Sequence, residues 1–234
     1  MRLDGMIFDL DGTLTDTFRV CFIAFREALQ PFTGRSFTDE EIMARFGPSE
    51  EGMLRRWVPD RWEECLRLYL TAYEREHRRI ARTFPGIETA LGLLRERGMP
   101  LAVVTGKGPP SAAISLAQLG LAPYFDCIET GSPEGGVKTR CIERVLTRWG
   151  IAPGRVAYLG DVASDIEASR AVGVIPLAAA WEKRSNATAL RALEPLAVFD
   201  TVPQFIDWIH ATVEPRAAGP GRPGAATSSN PDPI

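Results

Sequence analysis

Two pairs of aspartates follow apolar runs at spacings that could build a cation site. Asp9 and Asp11 lie in "MIFDLDGTLTDT" (6–17), and Asp161 and Asp165 lie in "GDVASD" (160–165). Carboxylates brought close together raise one another's pKa and destabilise the fold unless a cation neutralises them. Mg²⁺ suits such a group, because it is a hard ion that takes oxygen ligands and bridges carboxylates to phosphate. No Cys or His lies near these aspartates, which argues against zinc.

The elements that must position these aspartates are short apolar runs without strict alternation of apolar and polar residues. Such runs are typical of strands that are covered on both faces. They are "GMIFDL" (5–10), "PLAVVTG" (100–106), "FDCIETG" (125–131), "RVAYLGD" (155–161), "GVIPLAAA" (173–180) and "LAVFDT" (196–201). Helical patterns such as "GIETALGLLRERG" and "TRCIERVLTRWG" lie between the later runs. The alternation predicts an α/β fold, a doubly wound parallel sheet with a Rossmann-like core.

The polar side chains follow the carboxyl ends of these predicted strands. Asp9 and Asp11 follow the first strand, Thr105 follows the second, and Asp161 with Asp165 follows "RVAYLG". Ligands of open parallel sheets bind in the crevice outside that edge. We therefore expect these residues to meet in one crevice, although they are far apart in the sequence.

The segment from 17 to 82 interrupts the alternation and is too long for an ordinary crossover between strands. It contains helical patterns, including "TFRVCFIAFREALQ", and no convincing strand. We interpret it as an all-helical cap, inserted between two parts of the catalytic core, 1–16 and 83–213. The remaining segment, 214–234, is rich in Gly, Pro, Ala and Ser, which predicts a disordered tail.

Composition excludes several classes of partner. The chain has 27 basic and 30 acidic residues, which give a net charge of -3. It therefore lacks the excess of positive charge that is typical of proteins that bind nucleic acid or an anionic membrane. There is no apolar run of membrane-spanning length and no signal pattern at the N-terminus, so we expect a cytoplasmic protein. The scattered cysteines, which we expect to be buried free thiols, are Cys21, Cys65, Cys127 and Cys141. The oligomeric state is not predicted.

From residue 6 to about 210, the chain resembles the haloacid dehalogenase superfamily of phosphohydrolases. Its motifs match "DLDGT" at 9–13, an apolar strand ending at Thr105, and "GDVASD" at 160–165. The family also uses a Lys ahead of the last motif, which is Lys138 in "EGGVKTRCIERVL". Lys107 in "TGKG" is a competitor, but it follows Thr105 too closely to supply a separate side of the site.

The resemblance implies a role for each motif residue. Asp9 would be the nucleophile that forms an aspartyl phosphate, and Asp11 would be the general acid and base. Thr105 and Lys138 would bind the phosphoryl group. Mg²⁺ would be held by Asp9, by the backbone carbonyl of Asp11 and by Asp161, and Asp165 would complete the metal site by ordering the waters of the metal or Lys138. Dehalogenases of the same fold lack the second aspartate of "DLDGT", so the resemblance points to phosphate chemistry.

The sequence indicates the residues that bind the substrate less clearly than it indicates the catalytic residues. The resemblance to capped family members assigns Gly47, Pro48 and Ser49 in "ARFGPSEEGMLRRW" to substrate binding, beside Thr105 and Gly106. An ordinary turn between helices is an equal alternative for that segment. Arg45 is a further candidate, Trp57 and Trp62 could belong to the cap core or to the substrate wall, and His77 in "EREHRR" fits a solvated helix face.

The sequence therefore predicts an Mg²⁺-dependent phosphatase that acts on a small phosphorylated metabolite. Its cap size and its "FDTVPQFIDWI" segment resemble those of phosphoglycolate phosphatases. A phosphomutase of the β-phosphoglucomutase type is an alternative, because it uses the same two aspartates. An alternative of another class is a non-catalytic module that accepts or binds phosphate.

Overall fold

A computed structural model describes residues 2–215, so most of the predicted tail, 216–234, lies outside the described residues. The strands in the described part are β1 (Gly5–Phe8), β2 (Thr15–Asp16), β3 (Arg82–Thr83), β4 (Leu101–Val104), β5 (Cys127–Glu129), β6 (Val156–Gly160), β7 (Ile175–Ala179) and β8 (Ala197–Phe199). The α-helices are α1 (Phe18–Thr33), α2 (Asp39–Met43), α3 (Glu50–Trp57), α4 (Trp62–Ile80), α5 (Ile87–Glu96), α6 (Pro109–Gln118), α7 (Lys138–Trp149), α8 (Ala163–Ala171), α9 (Ala187–Ala192) and α10 (Val202–Thr212).

The main sheet has the strand order β5-β4-β1-β6-β7-β8. All of its neighbouring strands are parallel, and Ile7 in β1 pairs with Ala102 on one side and Tyr158 on the other. Every strand of this sheet lies within one of the apolar runs of the sequence. The structure therefore confirms the doubly wound parallel sheet, with β1 at its centre and Asp9 directly after β1.

Both faces of the sheet are covered, which explains why its strands are continuously apolar. Met6 and Phe8 point into a core shared with α5 and α10, whereas Ile7 points into a second core shared with α7. Alternate residues of β1 thus enter different cores, and neither set can be polar. The sheet is held rigidly between these two layers.

The inserted segment forms the all-helical cap that the sequence predicts. Helices α1 and α4 pack together around a core of their own, in which the ring centroids of Phe25 and Tyr69 are 4.5 Å apart. Strands β2 and β3 pair antiparallel where the chain leaves and re-enters the core. The prediction of no strand from 17 to 82 is wrong at Arg82, because a two-residue strand is too short to produce a periodic pattern.

The structure corrects one side-chain prediction in the cap and resolves another. His77 is buried between α4 and α6, with its Nδ1 3.0 Å from Oε1 of Gln118, and does not lie on a solvated face. Trp57 packs against Phe37, with ring centroids 5.3 Å apart, and therefore belongs to the cap core.

The four cysteines are buried and free, as the sequence predicts. None of the described helices is long and apolar enough to cross a membrane.

Candidate active site

Asp9 lies at the carboxyl end of the central strand, and its side chain is almost fully buried. Its backbone N–H donates to the carbonyl of Leu159 (2.9 Å), and Nζ of Lys138 lies 3.0 Å from its Oδ2. Its Oδ1 is buried and has no hydrogen bond of normal geometry within residues 2–215. Burial raises the pKa of Asp9 to about 6, although Lys138 opposes the rise. One oxygen of this carboxylate is thus left for a ligand.

Asp161 and Asp165 lie beside Asp9 at the end of β6. One carboxylate oxygen from each of the three residues lies within 4.8 Å of the others. Asp161 accepts a hydrogen bond from Oγ1 of Thr13 (3.2 Å). Burial, reinforced by the charges of Asp9 and Asp165, raises the pKa of Asp161 well above its ordinary value. An added cation would relieve this repulsion.

The three carboxylates fit a hard divalent cation. They supply oxygen atoms alone, which suits Mg²⁺, and Asp9 also has a buried Oδ1 without a hydrogen-bond partner among the described residues. The carboxylate of Asp165 already accepts several hydrogen bonds within the protein. Their donors are Lys138, Tyr158 and the backbone of Val162. Asp9 and Asp161 are therefore the freer candidate ligands. Asp165 also orients Lys138.

Gly12 permits the close approach of the two loops that carry these aspartates. Its φ of +79° lies in the left-handed region, and an added Cβ would stand 2.2 Å from Oδ2 of Asp161. The glycine of "DLDGT" is therefore required both by the turn and by the carboxylate packed against it.

Lys138 begins α7 and contacts Asp9 and Asp165 together. Burial lowers the pKa of its ammonium group, but the two carboxylates outweigh burial and raise the pKa above its ordinary range. Lys138 therefore remains charged, and it supplies the positive charge beside the predicted nucleophile.

The carboxylate of Asp11 lies outside the group formed by Asp9, Asp161 and Asp165. It accepts a hydrogen bond from Oγ1 of Thr17, and its Oδ2 lies 3.3 Å from Nζ of Lys107. The predicted acid and base thus faces the cap, whereas the predicted nucleophile faces the core. As a ligand, Asp11 could contribute only its backbone carbonyl, as the sequence analysis expects.

Lys107 and Glu50 form a buried bridge between core and cap that sequence reasoning missed. Nζ of Lys107 lies 3.6 Å from Oε1 of Glu50, 3.3 Å from Sγ of Cys21 and 4.4 Å from the ring centre of Tyr73. Glu50 also accepts hydrogen bonds from the backbone of Gly108 (2.6 Å) and from Oγ of Ser111 (2.5 Å). Nothing in "GPSEEG" signals this role, because acidic residues at a helix start are commonly explained by the helix dipole.

A cavity of about 700 Å³ lies between the cap and the catalytic edge of the sheet. Thr105, Gly106, Gly47 and Pro48 line it together with Asp9. The backbone N–H of Lys107 donates to Oγ1 of Thr105 (3.2 Å), and the side chain of Thr105 is buried.

Two further candidates for substrate binding are placed elsewhere. Ser49 is buried, does not line the cavity, and donates its backbone N–H to the carbonyl of Ser132 (2.9 Å). Arg45 is exposed, and its guanidinium carbon lies 4.9 Å from the ring centre of Trp57. Neither Trp57 nor Trp62 lines the cavity.

Known proteins are similar to this chain in sequence and in fold. The family described as haloacid dehalogenase-like hydrolase matches residues 6–179. The chain belongs to this family. A phosphoglycolate phosphatase from Chromobacterium violaceum is 31% identical over 193 residues, which are 77% of this chain and 86% of that protein. A pyrophosphatase PpaX from Bacillus pumilus is 26% identical over 181 residues, 76% of this chain and 84% of that protein.

The architecture of this haloacid dehalogenase-like hydrolase is also found in solved structures. A protein from Haemophilus somnus, described as a predicted phosphoglycolate phosphatase, superimposes with a TM-score of 0.76 at 20% identity. The superposition covers 88% of this chain and 97% of that protein. Because the sequence identity is low, this similarity concerns the fold alone. The family match itself spans β1, the cap and the segment carrying Asp161 and Asp165.

Proposed function

We propose that this hydrolase is an Mg²⁺-dependent phosphatase that cleaves a phosphate monoester through an aspartyl phosphate on Asp9. One observation carries the proposal: Asp9 opens onto the cavity with Lys138 on one oxygen and no normal hydrogen bond on the other. A carboxylate beside a fixed cation and within a group of oxygen ligands suits phosphoryl transfer, in which positioning and charge neutralisation dominate catalysis.

In the first half of the reaction, an oxygen of Asp9 attacks phosphorus and the bond from phosphorus to the ester oxygen breaks. Asp11 gives its proton to the departing oxygen, which leaves as an alcohol. Lys138 donates one hydrogen bond to Asp9 in the structure, and we assign it to neutralising the transferred group. Thr105, whose hydroxyl lies at the same edge, is assigned to a phosphoryl oxygen.

In the second half, Asp11 removes a proton from water, and the water oxygen attacks phosphorus. The bond between Asp9 and phosphorus breaks, which releases inorganic phosphate and restores the Asp9 carboxylate. The carboxylate of Asp11 contacts Lys107 and Thr17 in the structure, on the side of the cap. Both proton transfers therefore require the bound substrate, and then the water, to come within hydrogen-bond reach of that position.

Mg²⁺ held by Asp9, Asp161 and Asp165 would supply positive charge for the phosphoryl group and for the three carboxylates. Burial, reinforced by neighbouring carboxylates, raises the pKa of Asp9 and of Asp161, which supports a bound cation because ionising both without one is unfavourable. Chelation should therefore abolish turnover, and added Mg²⁺ should restore it.

Two finer assignments remain proposals. Phosphoglycolate is a candidate substrate, because the relative from Chromobacterium violaceum is named for that activity. A phosphomutase would isomerise a hexose phosphate in the presence of its bisphosphate, without releasing inorganic phosphate. That assay separates the two reactions directly.

The decisive test is release of p-nitrophenol from p-nitrophenyl phosphate, with Mg²⁺ and with EDTA. Asp9→Asn should lower kcat at least roughly 10³-fold, since the nucleophile is lost, and Asp11→Asn should also lower it, because water still needs a base. Asp207→Asn, an exposed aspartate on α10, is the matched control and should retain activity. Absence of turnover in the unmodified protein would favour the non-catalytic phosphate-binding module.

A further inference from the structure

The cap side of the cavity is formed largely by apolar side chains. Phe18, Phe46, Met53 and Pro48 line it. The rings of Phe18 and Phe46 are nearly parallel, with centroids 6.3 Å apart. Phe46 keeps 39% of its surface exposed, which is unusual for a large aromatic side chain packed in a cluster. The wall thus offers apolar surface that the protein itself does not cover.

The cations of the cavity are already neutralised. Among the described residues that line it, the cationic side chains are Lys107 and Lys138. Lys138 contacts Asp9 and Asp165, and Lys107 contacts Asp11 and Glu50. Each ammonium group thus faces two carboxylates. The cap side in particular carries a surplus of negative charge, because Glu50 is the charged residue that the cap adds to the lining.

This distribution of charge discriminates between leaving groups. The phosphoryl end of a substrate would meet the predicted Mg²⁺ site and Lys138, which suits its charge. A second anionic group at the other end would meet aromatic rings, Met53 and Glu50, with no unpaired cationic side chain among the described residues that line the cavity. Burying an unpaired carboxylate is unfavourable, whereas an apolar group would be stabilised by contact with the same wall.

The size of the cavity agrees with a bulky leaving group. Sites for organic ligands typically have volumes of roughly 300–1,000 Å³, and this cavity has about 700 Å³. We infer that the enzyme prefers phosphate esters of uncharged, apolar alcohols, aromatic or branched, over esters that carry a carboxylate or a second phosphate. The inference rests on the proposed phosphatase activity and narrows its substrate class, and it places phosphoglycolate, which carries a carboxylate, among the disfavoured esters.

Matched esters that differ in a single charge test the inference. We would measure kcat/KM with Mg²⁺ for 4-(methoxycarbonyl)phenyl phosphate against 4-carboxyphenyl phosphate, and for the methyl ester of phosphoglycolate against phosphoglycolate. The neutral member of each pair should be favoured by roughly tenfold or more, the size of effect that one lost or repelled contact produces. Equal or better turnover of the carboxylates would overturn the inference while leaving the phosphatase activity intact.

Variants of Phe46 identify the wall that is responsible. Phe46→Ala should reduce, by roughly tenfold, the ratio of kcat/KM for 4-(methoxycarbonyl)phenyl phosphate to that for methyl phosphate. Phe46→Arg should shift preference towards the carboxylate of each pair. Leu196→Ala, which removes an exposed apolar side chain that does not line the cavity, is the control.

An unchanged preference in both Phe46 variants, with thermal unfolding showing that they are folded, would overturn the assignment of this wall to the substrate. Absence of turnover on every ester, including p-nitrophenyl phosphate, would instead overturn the phosphatase proposal, and this inference with it. The two failures are therefore distinguishable.

Discussion

Two lysines of the site, the half-buried Lys138 and the buried Lys107, each contact one of the two aspartates of "DLDGT", and they differ in where their other partners come from. Lys138 contacts Asp9 and Asp165, which both belong to the core. Lys107 contacts Asp11 from the core, but also Glu50, Cys21 and the ring of Tyr73 from the cap. The first cluster is complete within the sheet domain, whereas the second needs the cap in place.

The difference separates the two catalytic tasks. The charge environment of Asp9 depends on side chains fixed by β1, α7 and α8, so a change in cap position would leave these contacts intact. The surroundings of Asp11 would lose Glu50, Cys21 and Tyr73 if the cap moved away. Proton transfer is thus the step that cap position can influence, whereas the position of the nucleophile is set by the core alone. Removing each lysine in turn tests this division.

The largest effect is expected from Lys138→Met. This change removes the cation beside the nucleophile and leaves Asp9 and Asp165 without their shared partner. We expect kcat/KM for p-nitrophenyl phosphate to fall roughly 10³-fold, the upper range for removal of one stabilising group at a transferring centre. Steady-state kinetics with saturating Mg²⁺ measures it. Lys183→Met, an exposed lysine, is the control. A fall of less than tenfold would contradict the role given to Lys138.

Lys107→Met should act mainly on stability, because it leaves the buried Glu50 and the partly buried Asp11 without their cation. We expect the free energy of unfolding in urea to fall by about 3 kcal/mol, the lower end for breaking a buried ion pair by removing one partner. Adding Glu50→Gln to Lys107→Met should cost less than the sum of the two single changes. Additivity within about 0.5 kcal/mol would show that the two residues are not coupled.

Much of the core could be predicted from the sequence, because its signals are local. Each strand of the main sheet is an apolar run, and parallel strands bring the residues after them to one edge. That rule predicts that Asp9, Asp161 and Thr105 share one edge of the sheet. The side-chain direction of Asp11 could not be predicted, since it depends on Lys107 and on the cap.

The bridge between Lys107 and Glu50 lay beyond sequence reasoning for the same reason. The two residues are distant in the chain, and their contact depends on how the cap docks onto α6. His77 is a different case, because a usable signal was present. It follows Tyr69 and Tyr73 at intervals of four residues on α4, the spacing of one buried helix face. The charged neighbours in "EREHRR" obscured that periodicity.

The smallest effect concerns the stability of the Lys138 cluster without metal. Burial raises the pKa of Asp9 from 3.8 to about 6, so between these pH values the folded protein binds more protons than the unfolded chain. The stability that protonated Asp9 contributes is therefore present below pH 3.8 and is lost as the pH rises through about 6. Above that pH, the ionised carboxylate destabilises the fold.

Asp9→Asn removes this cost, so the variant should be more stable than the unmodified protein at pH 7 in EDTA. The advantage should not exceed about 3 kcal/mol, since the pKa rises by a little over two units from 3.8 to about 6 and each unit corresponds to about 1.4 kcal/mol. It should shrink as the pH falls towards 5, whereas Asp207→Asn should show no such trend. Saturating Mg²⁺ should stabilise the unmodified protein more than the variant, because the stability added by a ligand that binds only the folded state increases with the logarithm of its concentration divided by its Kd. A pH-independent difference would mean that the buried Asp9 carboxylate carries no cost, and the comparison of the two lysine clusters would then lose its electrostatic basis.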